Sequence, residues 1–167
     1  ISSGTPVYVG QNSDSNLSNP QGVYVAGRYA YVTSYTSNKL VAYDISSGTP
    51  VYVGQNSDSN LSGPYSVYVQ GNHAYVTNNT NNKLVTYSIS PSGIPVYIGQ
   101  NSDSNLSYPQ SVYVQGRYAY VVNYGSAKLA TYDISSGTPV FVGLNSDSHL
   151  SSNPMSMYVS GRYAYVV

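Results

Sequence analysis

The stretch Ile1-Ser2-Ser3-Gly4-Thr5-Pro6-Val7-Tyr8-Val9-Gly10 returns at Ile45, at Ile89 with one residue inserted around Pro91, and at Ile134. The 167-residue chain therefore repeats itself every 44 or 45 residues. A period of about 20–50 residues constrains the architecture before any local reading does, because each repeat is one supersecondary unit that buries its apolar faces only against its neighbours.

Within each period four short runs are rich in Val and Tyr and bounded by turn residues. In the first they are Val7-Tyr8-Val9, Val23-Tyr24-Val25, Tyr29-Ala30-Tyr31-Val32 and Leu40-Val41-Ala42-Tyr43. Such runs read as strands, and apolar residues at consecutive positions read as strands covered on both faces. Ala26-Gly27 closes a tight hairpin between the second and third runs, as do Gln70-Gly71, Gln115-Gly116 and Ser160-Gly161 at the same place. Residues 34–38 form a longer hairpin loop, and no segment carries a helical period.

Four antiparallel strands per repeat, covered on both faces, make a β-propeller blade. The expected fold is all-β, a propeller of four-stranded antiparallel blades in one segment, 1–167. Its repeats are 1–44, 45–88, 89–133 and a partial 134–167, about 3.75 blades of an incomplete ring. We label the strands A to D from the centre outward, with the Val23 run as A, the Tyr29 run as B, the Leu40 run as C and the Val7 run as D. The chain then reads D, ABCD, ABCD, ABCD, AB, fifteen strands in all. Both ends lie in mid-pattern, and an arc of this kind does not close alone. The expected partners are other propeller segments of the same protein or copies of itself, two copies bringing thirty strands toward the thirty-two of an eight-bladed ring.

Ser160-Gly161-Arg162-Tyr163-Ala164-Tyr165-Val166, together with Leu40-Val41-Ala42-Tyr43-Asp44-Ile45-Ser46 and Pro50-Val51-Tyr52-Val53-Gly54, resembles the LVIVD repeat. Tyr75-Val76-Thr77-Asn78 followed by Asn82-Lys83-Leu84-Val85 is similar to the YVTN propeller repeat. The resemblance implies a propeller of the kind found on surface or secreted proteins of bacteria and archaea, and it carries no catalytic residues.

Six Lys and Arg balance six acids, all Asp, and only 7% of residues are charged. The basic stripe that nucleic-acid binding needs is missing, and no apolar run approaches the roughly 20 residues of a membrane helix. The chain has no Cys, so neither a disulfide framework nor a thiolate metal site is available. Tyr occurs 21 times against one Phe and no Trp, which makes it the main large packing residue. Low charge and abundant Ser, Asn, Thr and Tyr lead us to expect an extracellular or cell-surface setting.

Comparing the copies within the chain shows where they differ. The differences fall on the face carrying the D–A and B–C loops, at Gln21, Tyr65, Gln110 and Met155, at Asn19, Gly63 and Tyr108, and in the B–C loops. Tyr35, Tyr65, Tyr108 and Tyr124 read as loop tyrosines, and with Gln21 and Gln110 they form the candidate ligand rim. The Asn-Ser-Asp-Ser-Asn loop places Asp14, Asp58, Asp103 and Asp147 at calcium-loop spacing. Leu17 and Val23 stand where such a loop needs Gly and Glu, so a structural Asx turn is favoured, with no metal and no cofactor expected, calcium being the weighed alternative. Asn16, Asn60, Asn78 and Asn105 match the N-x-[ST] glycosylation pattern.

Arg28 and Asp44 read as directly opposed across strands B and C, and Arg117 with Asp133 repeats them, while Asn72 and Ser88 replace both partners in the second repeat. This covariation predicts a structural ion pair. His73 and His149 occupy unrelated repeat positions, no nucleophilic constellation forms, and no catalytic residue is expected. The function expected from sequence is a non-enzymatic structural or scaffold propeller module, self-assembling; the alternative is a lectin-like or protein-binding propeller that uses the D–A/B–C face for a glycan or protein.

Overall fold

The computed structural model describes residues 5–145, 149–150 and 153–167. Three sheets of four strands follow one another along the chain. The first holds β1 (Pro20–Ala26), β2 (Tyr29–Ser34), β3 (Lys39–Asp44) and β4 (Val51–Asn56); the second β5 (Pro64–Gln70), β6 (His73–Asn78), β7 (Lys83–Ile89) and β8 (Pro95–Asn101); the third β9 (Pro109–Gln115), β10 (Tyr118–Asn123), β11 (Lys128–Asp133) and β12 (Val140–Asn145). A two-stranded sheet of β13 (Met157–Ser160) and β14 (Tyr163–Val166) follows. Every pairing is antiparallel and every sheet keeps sequence order, the up-and-down blade that hairpin-linked strands build.

The first strand of each blade packs on the first strand of the next, β1 on β5, β5 on β9 and β9 on β13, so these strands line the centre. Tyr24, Tyr68, Tyr113 and Tyr158 stand at the same register position and form a ladder around it, with successive ring centroids 4.6, 4.8 and 5.4 Å apart. The spacing and tilt are those favoured by the ring quadrupoles.

Between blades lie the cores. Tyr31, Leu40 and Ala42 of blade 1 meet Leu61, Val67, Val69, Ala74, Val76 and Tyr87 of blade 2. Tyr75 and Leu84 of blade 2 meet Leu106, Val112, Val114 and Tyr132 of blade 3, and Val122 of blade 3 meets Met157 and Val159. Each fully buried side chain of this size stabilises by about 1.5–3 kcal/mol, so cohesion comes from junctions between repeats. The A–B hairpins turn at Gly27, Gly71, Gly116 and Gly161, whose φ values of 58–62° suit an uncrowded glycine.

Two expectations are corrected. Val7-Tyr8-Val9 is not a strand, leaving fourteen among the described residues rather than fifteen; a D strand takes its hydrogen bonds from a C strand, and among the described residues none pairs with it. The B–C register is also displaced by one: Tyr29, not Arg28, faces Asp44, and the loop is the four residues 35–38.

Candidate functional site

The inner strands enter from the D–A loops through a β-bulge. Pro20 pairs with Ser34 and Gly22 with Thr33, which leaves Gln21 without a facing residue; Tyr65 and Gln110 are bulged in the same way. A bulge bends its strand and re-aims a side chain, a device common beside binding sites. The position is also where the repeats diverge: Gln21, Tyr65, Gln110, and Met155 in the last blade. Tyr65 therefore belongs to β5 and not to a loop.

Gln21 is exposed, and its amide donates to Asn19 Oδ1 at 2.8 Å. The Tyr65 ring meets Tyr35 edge to face with centroids 6.3 Å apart, and the Tyr35 hydroxyl lies 3.4 Å from Thr80 Oγ1. Gln110 is buried with Oε1 lacking a protein partner. Asn78 Oδ1 and Asn79 Nδ2, at the end of β6, are likewise buried and unpartnered. Orphaned polar groups of this kind cost about 1–3 kcal/mol each and call for an explanation.

The face is held together by a device that sequence reasoning missed. Asn38 Oδ1 accepts from the Gly63 amide of the next blade at 2.8 Å, and Asn82 Oδ1 accepts from the Tyr108 amide at 2.7 Å. Both asparagines have φ 54°, the left-handed region that Asn tolerates. Ala127 holds the third equivalent position at φ 52° with no side-chain acceptor. Tyr108 itself has φ 46°, unusual for a bulky residue, and its carbonyl accepts from the Tyr124 amide at 3.2 Å. Tyr35 with Tyr65, and Tyr108 with Tyr124, are thus brought together in pairs.

The Asp loops are Asx turns. Asp14 Oδ1 accepts from the Asn16 amide at 2.9 Å and from the Tyr43 hydroxyl at 3.1 Å; Asp103 does so with Asn105 and Tyr132, and Asp58 with Asn60 and, at 3.5 Å, Tyr87. Burial works to raise the Asp14 carboxyl, but hydrogen bonds from Asn16, Tyr43 and Asn12 outweigh it and hold the group below its ordinary range. Burial first, and the facing carboxylate second, push the phenols of Tyr43, Tyr87 and Tyr132 far above their ordinary value. Among the described residues no three His, Cys, Asp or Glu gather as metal ligands. Asp147 lies outside the described residues.

Asn78 is corrected as a glycosylation acceptor: its amide is buried and donates to the Asn60 carbonyl at 2.7 Å. Asn16, Asn60 and Asn105 are half-buried turn residues. Arg28–Asp44 and Arg117–Asp133 are ion-paired across one register step. The Arg28 guanidinium first, then Ser46, hold the Asp44 carboxyl far below its ordinary range; Ser135 first, then Arg117, hold Asp133 at about 2. These pairs and His73 lie at the A–B-turn end of the blades, away from the rim. At that end a cavity of about 530 Å³ between blades 1 and 2 is lined by Ala26, Tyr29, Tyr31, Asn72, Ile89 and Pro91. It stands open where Ala26 replaces Gln70, whose amide reaches the Gly116 carbonyl at 2.7 Å in the next junction.

This geometry defines a β-propeller arc, and comparison with solved structures shows the same fold. No family model and no curated protein matches the chain, so the LVIVD and YVTN resemblance stands at the level of a propeller repeat. A Lactobacillus plantarum protein matches with a TM-score of 0.76 and 16% identity over 89% of this chain and 48% of its own. The Pseudomonas aeruginosa periplasmic gluconolactonase matches with 0.70 and 19% over 89% of this chain and 42% of its own. The computationally designed Ika4 protein matches with 0.71 and 9% over 94% and 95%. The chain thus spans less than half the length of the two natural proteins. Identities this low establish the fold alone. The expectation of a non-enzymatic scaffold is corrected at the level of the fold: the same blade arrangement carries a gluconolactonase, so the fold gives no ground for setting this chain apart from enzymes.

Proposed function

We propose that the D–A/B–C face takes a small cyclic polyhydroxy ester of the sugar-lactone class. The observation that carries this reading is the buried, unpartnered polar atoms on that face, among them Asn78 Oδ1, Asn79 Nδ2 and Gln110 Oε1, with Asn81 Oδ1 and Ser126 Oγ in the B–C loops. A ligand bearing several hydroxyls and an ester carbonyl supplies both donors and acceptors to such atoms, and the bordering rings of Tyr65 and Tyr108 offer apolar faces to a sugar ring. In hydrolysis, water adds to the ester carbonyl and the ring C–O bond breaks to give a hydroxy acid. The Asn79 amide is an unpartnered N–H donor on this face and fits the role of stabilising the oxyanion formed on the way.

Titration calorimetry with glucono-δ-lactone, run beside pH-stat hydrolysis corrected for the uncatalysed rate, tests this. Saturable binding that weakens at least tenfold in Gln110→Leu and Asn79→Leu supports the site, and hydrolysis above background supports the chemistry. No saturable binding by the wild-type chain overturns the reading.

A further inference from the structure

The repeats of this chain are close copies, so departures from the pattern carry information when they meet in space. Three of them meet at the cavity between blades 1 and 2. Ala26 stands where the next two repeats have Gln70 and Gln115, and Asn72 stands where the others have Arg28, Arg117 and Arg162. Pro91 is the one residue inserted into the loop that follows Ile89. All three line the same space of about 530 Å³.

Each departure shapes that space. In the junction between blades 2 and 3 the Gln70 amide donates to the Gly116 carbonyl at 2.7 Å; Ala26 has no donor to offer the corresponding Gly71 carbonyl, and the volume of the longer side chain is missing. Asn72 removes the guanidinium that Arg117 brings, and the facing carboxylate is gone too, because Ser88 replaces Asp133. In the neighbouring repeats that carboxylate also holds the following turn, Asp44 Oδ1 accepting from the Ser46 amide and Asp133 Oδ1 from the Ser135 amide, both at 2.9 Å. With Ser88 in its place the turn is held by Ser90 Oγ, which accepts from the Ile94 amide at 3.0 Å, and the longer loop carries Pro91 to the cavity wall. From blade 1 the Tyr29 ring lies against Gly93, where an added Cβ would stand 2.7 Å from Tyr29 Cε1, so the ring is fixed across the junction.

The resulting wall is apolar and aromatic, made by Ala26, Tyr29, Tyr31, Ile89 and Pro91, and among the described residues no charged side chain lines it. The Arg28 guanidinium, 5.4 Å from the Tyr29 ring centroid, is paired with Asp44. A cavity of this size falls within the range of about 300–1,000 Å³ for small-molecule sites, which combine apolar walls with a few polar groups. An ion entering it would lose hydration without gaining a partner.

From this convergence we infer that the cavity is a second binding site, at the opposite end of the blades from the D–A/B–C face, for an uncharged aromatic compound carrying one N–H or O–H donor. Its rings lie against Tyr29, Ile89 and Pro91, and its donor meets the Gly71 carbonyl.

Fluorescence titration with N-phenyl-α-naphthylamine, an uncharged fused-ring amine with a single N–H, tests this beside anilinonaphthalene sulfonate, which adds a negative charge to the same skeleton. The amine should bind saturably, and the sulfonate at least tenfold more weakly. Ala26→Gln installs the side chain that the next repeat already carries; it should weaken the amine at least tenfold while circular dichroism and Tm show the fold retained. Asn72→Arg, the residue of the other repeats, should narrow the preference for the amine over the sulfonate. In spectra of selectively labelled tyrosine, the Tyr29 ring resonances should shift on titration with the amine and those of Tyr65 should not. Absence of saturable binding overturns the inference. So does binding that Ala26→Gln leaves unchanged or that moves Tyr65 and not Tyr29, which places the probe on another surface, and so does a sulfonate that binds as tightly as the amine.

Discussion

Replacing Asn82 separates the two jobs that one residue does at the junction between blades 2 and 3. Its Oδ1 accepts from the Tyr108 amide at 2.7 Å, and its backbone holds φ 54°. A net hydrogen bond contributes about 0.5–1.5 kcal/mol, and a side chain other than Gly, Asn or Asp in the left-handed region costs about 1–2 kcal/mol. Asn82→Gly removes the bond and relieves the backbone, so the expected loss is about 1 kcal/mol after glycine's added chain entropy is counted. Asn82→Ala removes the bond and adds the strain, for a loss of about 2 kcal/mol. In a chain of this length each kcal/mol lowers Tm by about 2–4 °C, so calorimetry should rank wild type above Gly and Gly above Ala. Amide exchange at Tyr108 should accelerate equally in both variants, since both lose the same acceptor. Alanine as stable as glycine, or a Tyr108 amide whose protection is unchanged, would refute the reasoning. The converse substitution, Ala127→Asn, supplies the missing acceptor in blade 3 and should stabilise by about 1 kcal/mol.

Tyr132→Phe deletes a 3.1 Å bond to Asp103 Oδ1 and should cost about 1.5–3 kcal/mol in urea unfolding, the range for bonds to a charged partner. The folded Asp44 and Asp133 carboxyls lie below their unfolded value of about 3.9. Their stabilisation is complete above about pH 4 and is lost as pH falls through about 2 for Asp133 and lower still for Asp44. Carboxyl NMR titration should show Asp133 near 2, and Arg117→Gln should raise it. Burial first, then the nearby Tyr29, push the Tyr31 phenol up to about 12. A raised folded value means stability present below about pH 10 and lost as pH rises through about 12, so ionisation of Tyr31, followed by NMR of its labelled ring, should coincide with unfolding.

The blade was legible because it is repeated. Val-Tyr runs bounded by Gly and Asn, copied every 44 or 45 residues, leave one arrangement in which all the faces are covered. Register was harder. Counting residues around the B–C loop opposed Arg28 to Asp44, but Asn38 in the left-handed region tightens that loop to four residues and moves the pairing to Tyr29. The ion pair survives because a guanidinium reaches one step diagonally. The bulges at Gln21, Tyr65 and Gln110 add a residue that no composition marks, and so Tyr65 read as loop. Asn78 matched an acceptor pattern whose meaning depends on exposure, which a motif does not encode. The clamp by Asn38 and Asn82 did leave a signal, an Asn before Lys39 and Lys83 at the turn, where Asn is favoured for both its backbone and its side chain.

The central claim is that the repeats radiate from an axis lined by their first strands, and ring contacts among the inner tyrosines test it most directly. A nuclear Overhauser spectrum with selectively labelled tyrosine should connect Tyr24 to Tyr68 and Tyr68 to Tyr113, with no direct contact between Tyr24 and Tyr113. Cross-peaks from Tyr24 to outer-strand tyrosines such as Tyr52 or Tyr97, without the Tyr24–Tyr68 contact, would mean stacked sheets and would contradict the propeller arc.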